Sequence, residues 1–115
     1  MNVRDAIEAR RAYRSLAPVG IDDETVRDLA ESAALAANCF NNQPWRYVFV
    51  RRHDVLDRMF ETLSEGNRWA TAASMIVAVL SHPDLDCRIR SRDYYLFDTG
   101  MATALNGESR MRTSS

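Results

Sequence analysis

The stretch Asn38-Cys39-Phe40-Asn41-Asn42-Gln43-Pro44-Trp45 runs straight into Arg46-Tyr47-Val48-Phe49-Val50, and the reading of the fold begins there. Its first half holds three Asn, one Gln and a proline. Such residues end helices and populate turns. Its second half is aromatic and β-branched, so Trp45–Val50 reads as a strand. Pro44 fixes the entry into that strand and Trp45 anchors it. Amide side chains offer a donor beside an acceptor, which matches the imide and carbonyl edge of a heterocycle. The plainer reading is a polar turn with a core tryptophan, and the loop alone leaves both open.

Before this stretch, Asp22 and Asp23 supply an N-cap and first-turn negative charge. Val26, Leu29, Ala30, Ala33 and Ala37 follow at helical spacing, and the many alanines let a neighbour approach closely. Ser15–Gly20 is a loop. Asn2 caps a shorter helix with Val3, Ala6 and Ile7 on one face, ending in Arg10-Arg11-Ala12-Tyr13-Arg14.

After the strand, Asp54 is placed to cap a third helix with Val55, Leu56, Met59, Phe60 and Leu63 as its buried stripe. Gly66-Asn67 ends it, and Ala70–Ala73 forms a short helical turn. Met75–Leu80 is apolar throughout, which predicts a strand covered on both faces. His82-Pro83 closes it, Arg88–Asp93 is a charged loop, and Tyr94–Leu105 is helical. Asn106–Ser115 has Met111 as its one apolar residue and reads as a disordered polar tail. The order is αα-β-α-β-α, an α+β class. Two strands do not make a stable sheet alone. More of the sheet comes from a partner chain, or part of the domain is missing.

The chain has 115 residues, room for one domain. A hydrophobic content of 46% allows a packed core and excludes disorder along the whole length. No apolar run is long enough to cross a bilayer, and no secretory signal is expected. The net charge of -1 argues against a whole-surface field for nucleic acid, although all 15 basic residues are Arg. Cys39 and Cys87 are isolated and make no disulfide framework, so a reducing cytoplasm is the expectation. A free cysteine then packs as a small hydrophobe.

Four features carry possible chemistry. Arg10, Arg11 and Arg14 can converge on a phosphate with fork-shaped donors. The plainer reading is cations complementing a helix C-terminus. Asn67 and Arg68 are either a second amide and cation at a ligand or a solvated turn. His53 and His82 have no ligand at helical spacing, so they read as surface or cap residues and no metal site is expected. Asp84, Asp86, Asp93 and Asp98 are scattered and read as solvated. No glycine-rich phosphate loop or nucleophile elbow is present.

In their order and spacing, the Arg10–Arg14 run, the alanine-rich helix and Asn41-x-Gln43-Pro44-Trp45 opening a strand resemble the amino-terminal part of the nitroreductase family. The resemblance covers residues 3 to 105 and reaches Asp98-Thr99-Gly100-Met101-Ala102, where the family has its central helix. It implies a mixed sheet flanked by helices in an intertwined homodimer with two FMN sites at the interface. Arg10, Arg11, Ala12 and Arg14 then lie at the FMN phosphate. Asn38, Cys39 and Asn41 face the flavin of the partner subunit, and Asn67 or Arg68 its polar edge. Gln43 orients the loop or the substrate pocket. The implied chemistry passes a hydride from NAD(P)H through the flavin to a nitroaromatic, quinone or similar small-molecule acceptor. No side chain is assigned as a general acid or base.

Ala12 stands where the family usually has Ser, which removes one hydroxyl donor. Ala37-Asn38 stands where Pro-Ser is common. Family members are also longer, so residues 1–105 read as a truncated FMN-binding domain whose enzyme activity is open. The alternative is a non-catalytic remnant or interaction module that completes its sheet with another chain. A nucleic-acid binder using the Arg cluster is disfavoured by the charge balance and the lack of a stacking motif.

Overall fold

Asn2 accepts a hydrogen bond from the Asp5 amide at 2.9 Å and so opens helix α1 (Val3–Ala9). The computed structural model of the chain describes residues 2–109. The apolar side of α1 is uncovered, with Val3 and Ile7 both exposed. Helix α2 (Asp23–Ala34) starts at Asp22, whose carboxylate accepts from the Thr25 amide at 2.8 Å. Arg51 then ties the helix entry to the strand that follows, donating to the Ile21 carbonyl and pairing with Asp23.

Strand β1 (Trp45–Val50) forms where the aromatic and β-branched run predicts it. Helix α3 (His53–Phe60) begins two residues earlier than expected, with Arg52 in place of Asp54 at the N-cap position. Asp54 lies inside its first turn instead of capping it, because its carboxylate is taken by the Arg52 guanidinium. Leu56 is the buried residue of the stripe, at 3% exposure. A 3-10 segment (Arg68–Ala72) follows, then strand β2 (Ile76–Ser81) and helix α4 (Tyr95–Ser109). The helix crosses the boundary expected after Leu105, because Asn106–Ser109 continue it. The rest of the expected polar tail, residues 110–115, lies outside the described residues.

The two strands pair antiparallel, with Trp45 opposite Ser81 and Val50 opposite Ile76. Directly opposed residues share a face. One face carries Trp45 and Tyr47 towards α2 and α4. The other carries Arg46, Val48 and Leu80, all exposed. The expectation that Met75–Leu80 is covered on both faces is therefore corrected. Among the described residues, one helical layer covers one face, and the other is open at Arg46, Val48 and Leu80 while Val50 at its end is buried.

The core lies between α2, α4 and β1. Ala33 and Ala102 are fully buried, and Ala36 and Trp45 nearly so, with Tyr47 and Leu105 packed against them. Small side chains on both helices allow close approach. Hydroxyls stitch α4 to the sheet. Tyr47 donates to Thr103 Oγ1 at 3.1 Å, since Thr103 itself donates to the Thr99 carbonyl. Thr99 donates to Ser81 Oγ at 2.7 Å, and Ser81 donates to the Tyr95 carbonyl.

Candidate functional site

Arg10 ends α1 in an extended conformation, and Arg11, Ala12 and Arg14 continue an exposed stretch. Arg11 Nη1 donates to the Glu8 and Arg10 carbonyls. None of the three arginines forms an ion pair among the described residues, although four arginine–carboxylate pairs form elsewhere among them. The Arg14 guanidinium lies 6.0 Å from the centre of the Trp69 ring, within cation–π range. Trp69 follows Asn67-Arg68 directly. The fold thus brings the end of the Arg run to the turn that holds Asn67 and Arg68. Asn67 is half-buried and donates through Nδ2 to Ser64 Oγ at 2.8 Å, while Arg68 is exposed.

The loop after α2 is tightly built. Cys39–Asn41 forms a 3-10 turn, and Phe40, Asn41 and Gln43 all adopt positive φ, at 52°, 53° and 49°. Asn tolerates that region; Phe and Gln occupy it at a cost of roughly 1–2 kcal/mol each. Several bonds hold the shape. Asn38 Oδ1 accepts from the Gln43 amide at 2.9 Å and Asn38 Nδ2 donates to the Ala36 carbonyl at 3.0 Å, so both ends of this side chain are engaged within the loop. Asn41 Oδ1 accepts from Gln43 Nε2 at 3.3 Å. Phe40 is 81% exposed and Asn41 is exposed beside it. Pro44 is fully buried, and its carbonyl accepts from the His82 amide.

Two anchors of this loop escaped sequence reasoning. Asp98, expected in solvent, is 5% exposed, and its Oδ2 accepts from the Cys39 amide at 3.1 Å. Its place in the first turn of α4, where the helix dipole favours a carboxylate, was the available signal. The second anchor is Cys87. The structure joins it to Cys39 by a disulfide, with Cα atoms 6.0 Å apart across 48 residues of sequence. The expectation of two unpaired cysteines is corrected. Spacing alone carried no signal, because the bond depends on how the 83–93 segment folds back on the loop.

That segment is itself ordered by Asp86, also expected in solvent. Asp86 is half-buried and accepts from the Tyr94 amide at 2.9 Å, while its Oδ1 is buried without a partner. Arg90 and Ser91 take positive φ in a tight turn closed by the Arg92 amide on the Ile89 carbonyl. His82 caps the 3-10 turn Pro83–Leu85, as read from sequence.

The candidate residues fall into two groupings, the Arg stretch with the 67–69 turn and the 38–43 loop with α4. No hydrogen bond or ion pair joins these groupings among the described residues. A cleft of about 610 Å³ lies between Val19, Arg51, His53, Leu56, Phe60 and Ser74, and no residue of these two groupings lines it. Among the described residues no group of His, Cys, Asp or Glu could hold a metal ion, and no helix is long and apolar enough to cross a membrane.

The family model of the nitroreductases matches residues 7–104. The chain belongs to the nitroreductase family. A Streptomyces coelicolor protein provisionally named an NADH dehydrogenase/NAD(P)H nitroreductase is 39% identical over 74 residues, covering 64% of this chain and 36% of that protein. A 4-nitrobenzoate reductase from a Nocardioides strain is 40% identical over 63 residues, covering 50% of this chain and 26% of that one. The fold agrees. A nitroreductase family protein from Clostridium novyi superposes with a TM-score of 0.85 at 14% identity, over 98% of this chain and 65% of that one. A provisionally named nitroreductase from Desulfovibrio desulfuricans, solved in complex with FMN, gives 0.80 at 22% identity, over 96% and 63%. The chain therefore spans well under half of these curated relatives and about two thirds of the solved nitroreductases. The α+β, nitroreductase-like fold class read from sequence is borne out.

Proposed function

We propose that this chain binds FMN within a homodimer and serves as an NAD(P)H-dependent oxidoreductase of the nitroreductase type. The observation that carries the reading is the donor set of Arg10, Arg11 and Arg14. Three exposed guanidiniums within five residues pair with no carboxylate among the described residues, and Arg14 stacks over Trp69. A phosphate suits such a cluster, because each guanidinium offers planar paired donors and no local anion competes. The residues present therefore fit the cofactor of the family.

In this reading Arg10, Arg11 and Arg14 hold the phosphate, and Ala12 offers only its backbone N–H. Asn67, or Arg68 next to it, reaches the polar edge of the ring. Asn38 shapes the loop, while Cys39 and Asn41 present it to the cofactor of the partner subunit. The separation of the two groupings within one chain supports a shared site, each protomer supplying one half. The bound flavin supplies the hydride chemistry between NAD(P)H and a nitroaromatic, quinone or similar small acceptor. Residues 1–105 form the flavin-binding portion.

The test is size-exclusion chromatography of the chain with added FMN, followed by fluorescence titration. Flavin is expected to co-elute with a dimer. Removing one charge-assisted phosphate contact with Arg14→Ala should weaken binding at least about tenfold. A colourless monomer, or equal affinity in the variant, counts against the reading. A second reading, a non-catalytic module that completes its sheet with another chain, is favoured by the uncovered face of Val48 and Leu80. Association without flavin would select it.

A further inference from the structure

We propose that Cys39 and Cys87 form a reversible thiol–disulfide couple whose oxidation pins the 38–43 loop to the 83–93 segment. Only its effect on cofactor affinity rests on the flavin reading. The placement meets the geometric need of the bond, since Cα atoms 6.0 Å apart lie within the usual range. Each cysteine is also held from its own side. The Cys39 amide is fixed by buried Asp98, and the segment of Cys87 by Asp86 on the Tyr94 amide and by Arg88 on Asp93 at 3.3 Å. Breaking the bond therefore leaves the two sulfurs near each other, and closure is intramolecular. Both residues are half-buried, not sealed in the core, so small reagents reach them.

The loop gives the bond its consequence. Phe40, Asn41 and Gln43 hold positive φ immediately after Cys39, a shape that persists only while its surroundings enforce it. The disulfide is the covalent member of that enforcement. The oxidant is a low-molecular-weight disulfide. One cysteine thiolate attacks it, releasing one thiol and forming a mixed disulfide. The second cysteine displaces the other thiol, so the protein loses two electrons and two protons and the oxidant becomes two thiols.

The experiment uses the full chain equilibrated with glutathione disulfide or with a dithiol reductant. Tryptic peptides 28–46 and 69–88, which carry Cys39 and Cys87, should be linked in the first case. In the second they should separate and accept maleimide. Reoxidation should restore the link. Amide exchange at residues 40–43 should rise on reduction by about tenfold, as expected when a local restraint is lost. Cys87→Ser should show no peptide link and fast loop exchange in either buffer, its Cys39 stopping at the mixed disulfide with glutathione in the oxidant, and reduced wild type supplies the unlinked state if that variant folds poorly. Cysteines that stay free for maleimide after the oxidant, or loop exchange equal in both states, overturn the proposal. FMN titration of the two states separates the two readings. Linkage and exchange behaving as stated, with no flavin bound in either state, keep the couple and remove the flavin assignment.

Discussion

Asp98 sits in the first turn of α4 with its carboxylate turned back to the Cys39 amide. It joins the central helix to a loop whose backbone is costly to hold. Asp98→Ala leaves that amide unpaired and should cost about 1–3 kcal/mol in denaturant unfolding. Asp98→Asn keeps an acceptor and should retain most of that stability. Faster exchange of the Cys39 amide in the alanine variant would locate the loss. Asp22 works at another helix start. The Thr25 amide, donating to its carboxylate, holds the Asp22 carboxyl below the ordinary carboxylate value. A lowered folded-state pKa stabilises the fold above the unfolded-state value, and that stability is lost as pH falls through the folded one. Asp22→Ala should therefore lower Tm at neutral pH, with the gap to wild type closing in acid. A gap that persists at low pH would show that the charge is not the cause. Both carboxylates look alike in the sequence. Asp22 was legible because an apolar helical pattern follows it, whereas the partner of Asp98 lies 59 residues away.

At the scale of elements, the α2–α4 contact depends on side chains of minimal size. Ala33 and Ala102 have no exposed surface, and Trp45 closes the space beside them. Ala102→Leu should force the helices apart and cost about 1–3 kcal/mol, read as a lower denaturant midpoint at unchanged slope. An unchanged midpoint would mean that the seam is looser than described. The alanine spacing in α2 foretold a close neighbour, and β1 began where its aromatic and β-branched run begins. Strand β2 was legible as a strand but not in its covering. Continuous apolar sequence reports that both faces prefer burial, not that both are buried within one chain.

For the whole molecule, the accessible surface is larger than its mass predicts. The accessible surface is 8836 Å², against roughly 6,400 Å² for a folded chain of this mass. The radius of gyration is 15.6 Å, against roughly 13 Å. The surplus exceeds the contribution of one partner to a standard interface, about 800 Å². Val48 and Leu80 on the open sheet face, and Val79, Leu96 and Phe97 elsewhere, are among the exposed apolar residues. The chain should therefore associate, and its sedimentation coefficient should rise with concentration. A monomer at every concentration would count against both the homodimer and the interaction-module readings.

The sequence by itself determined the family, the helix caps at Asn2 and Asp22, the first strand and the Arg cluster. Each is a local pattern, written in neighbouring residues and their periodicity. Tertiary structure alone decided that Asp98 is buried beneath the loop, that Cys39 meets Cys87, that Arg14 meets Trp69 and that one sheet face is open. The first three depend on residues 48 to 59 apart being brought together by packing, and no local pattern encodes such a meeting.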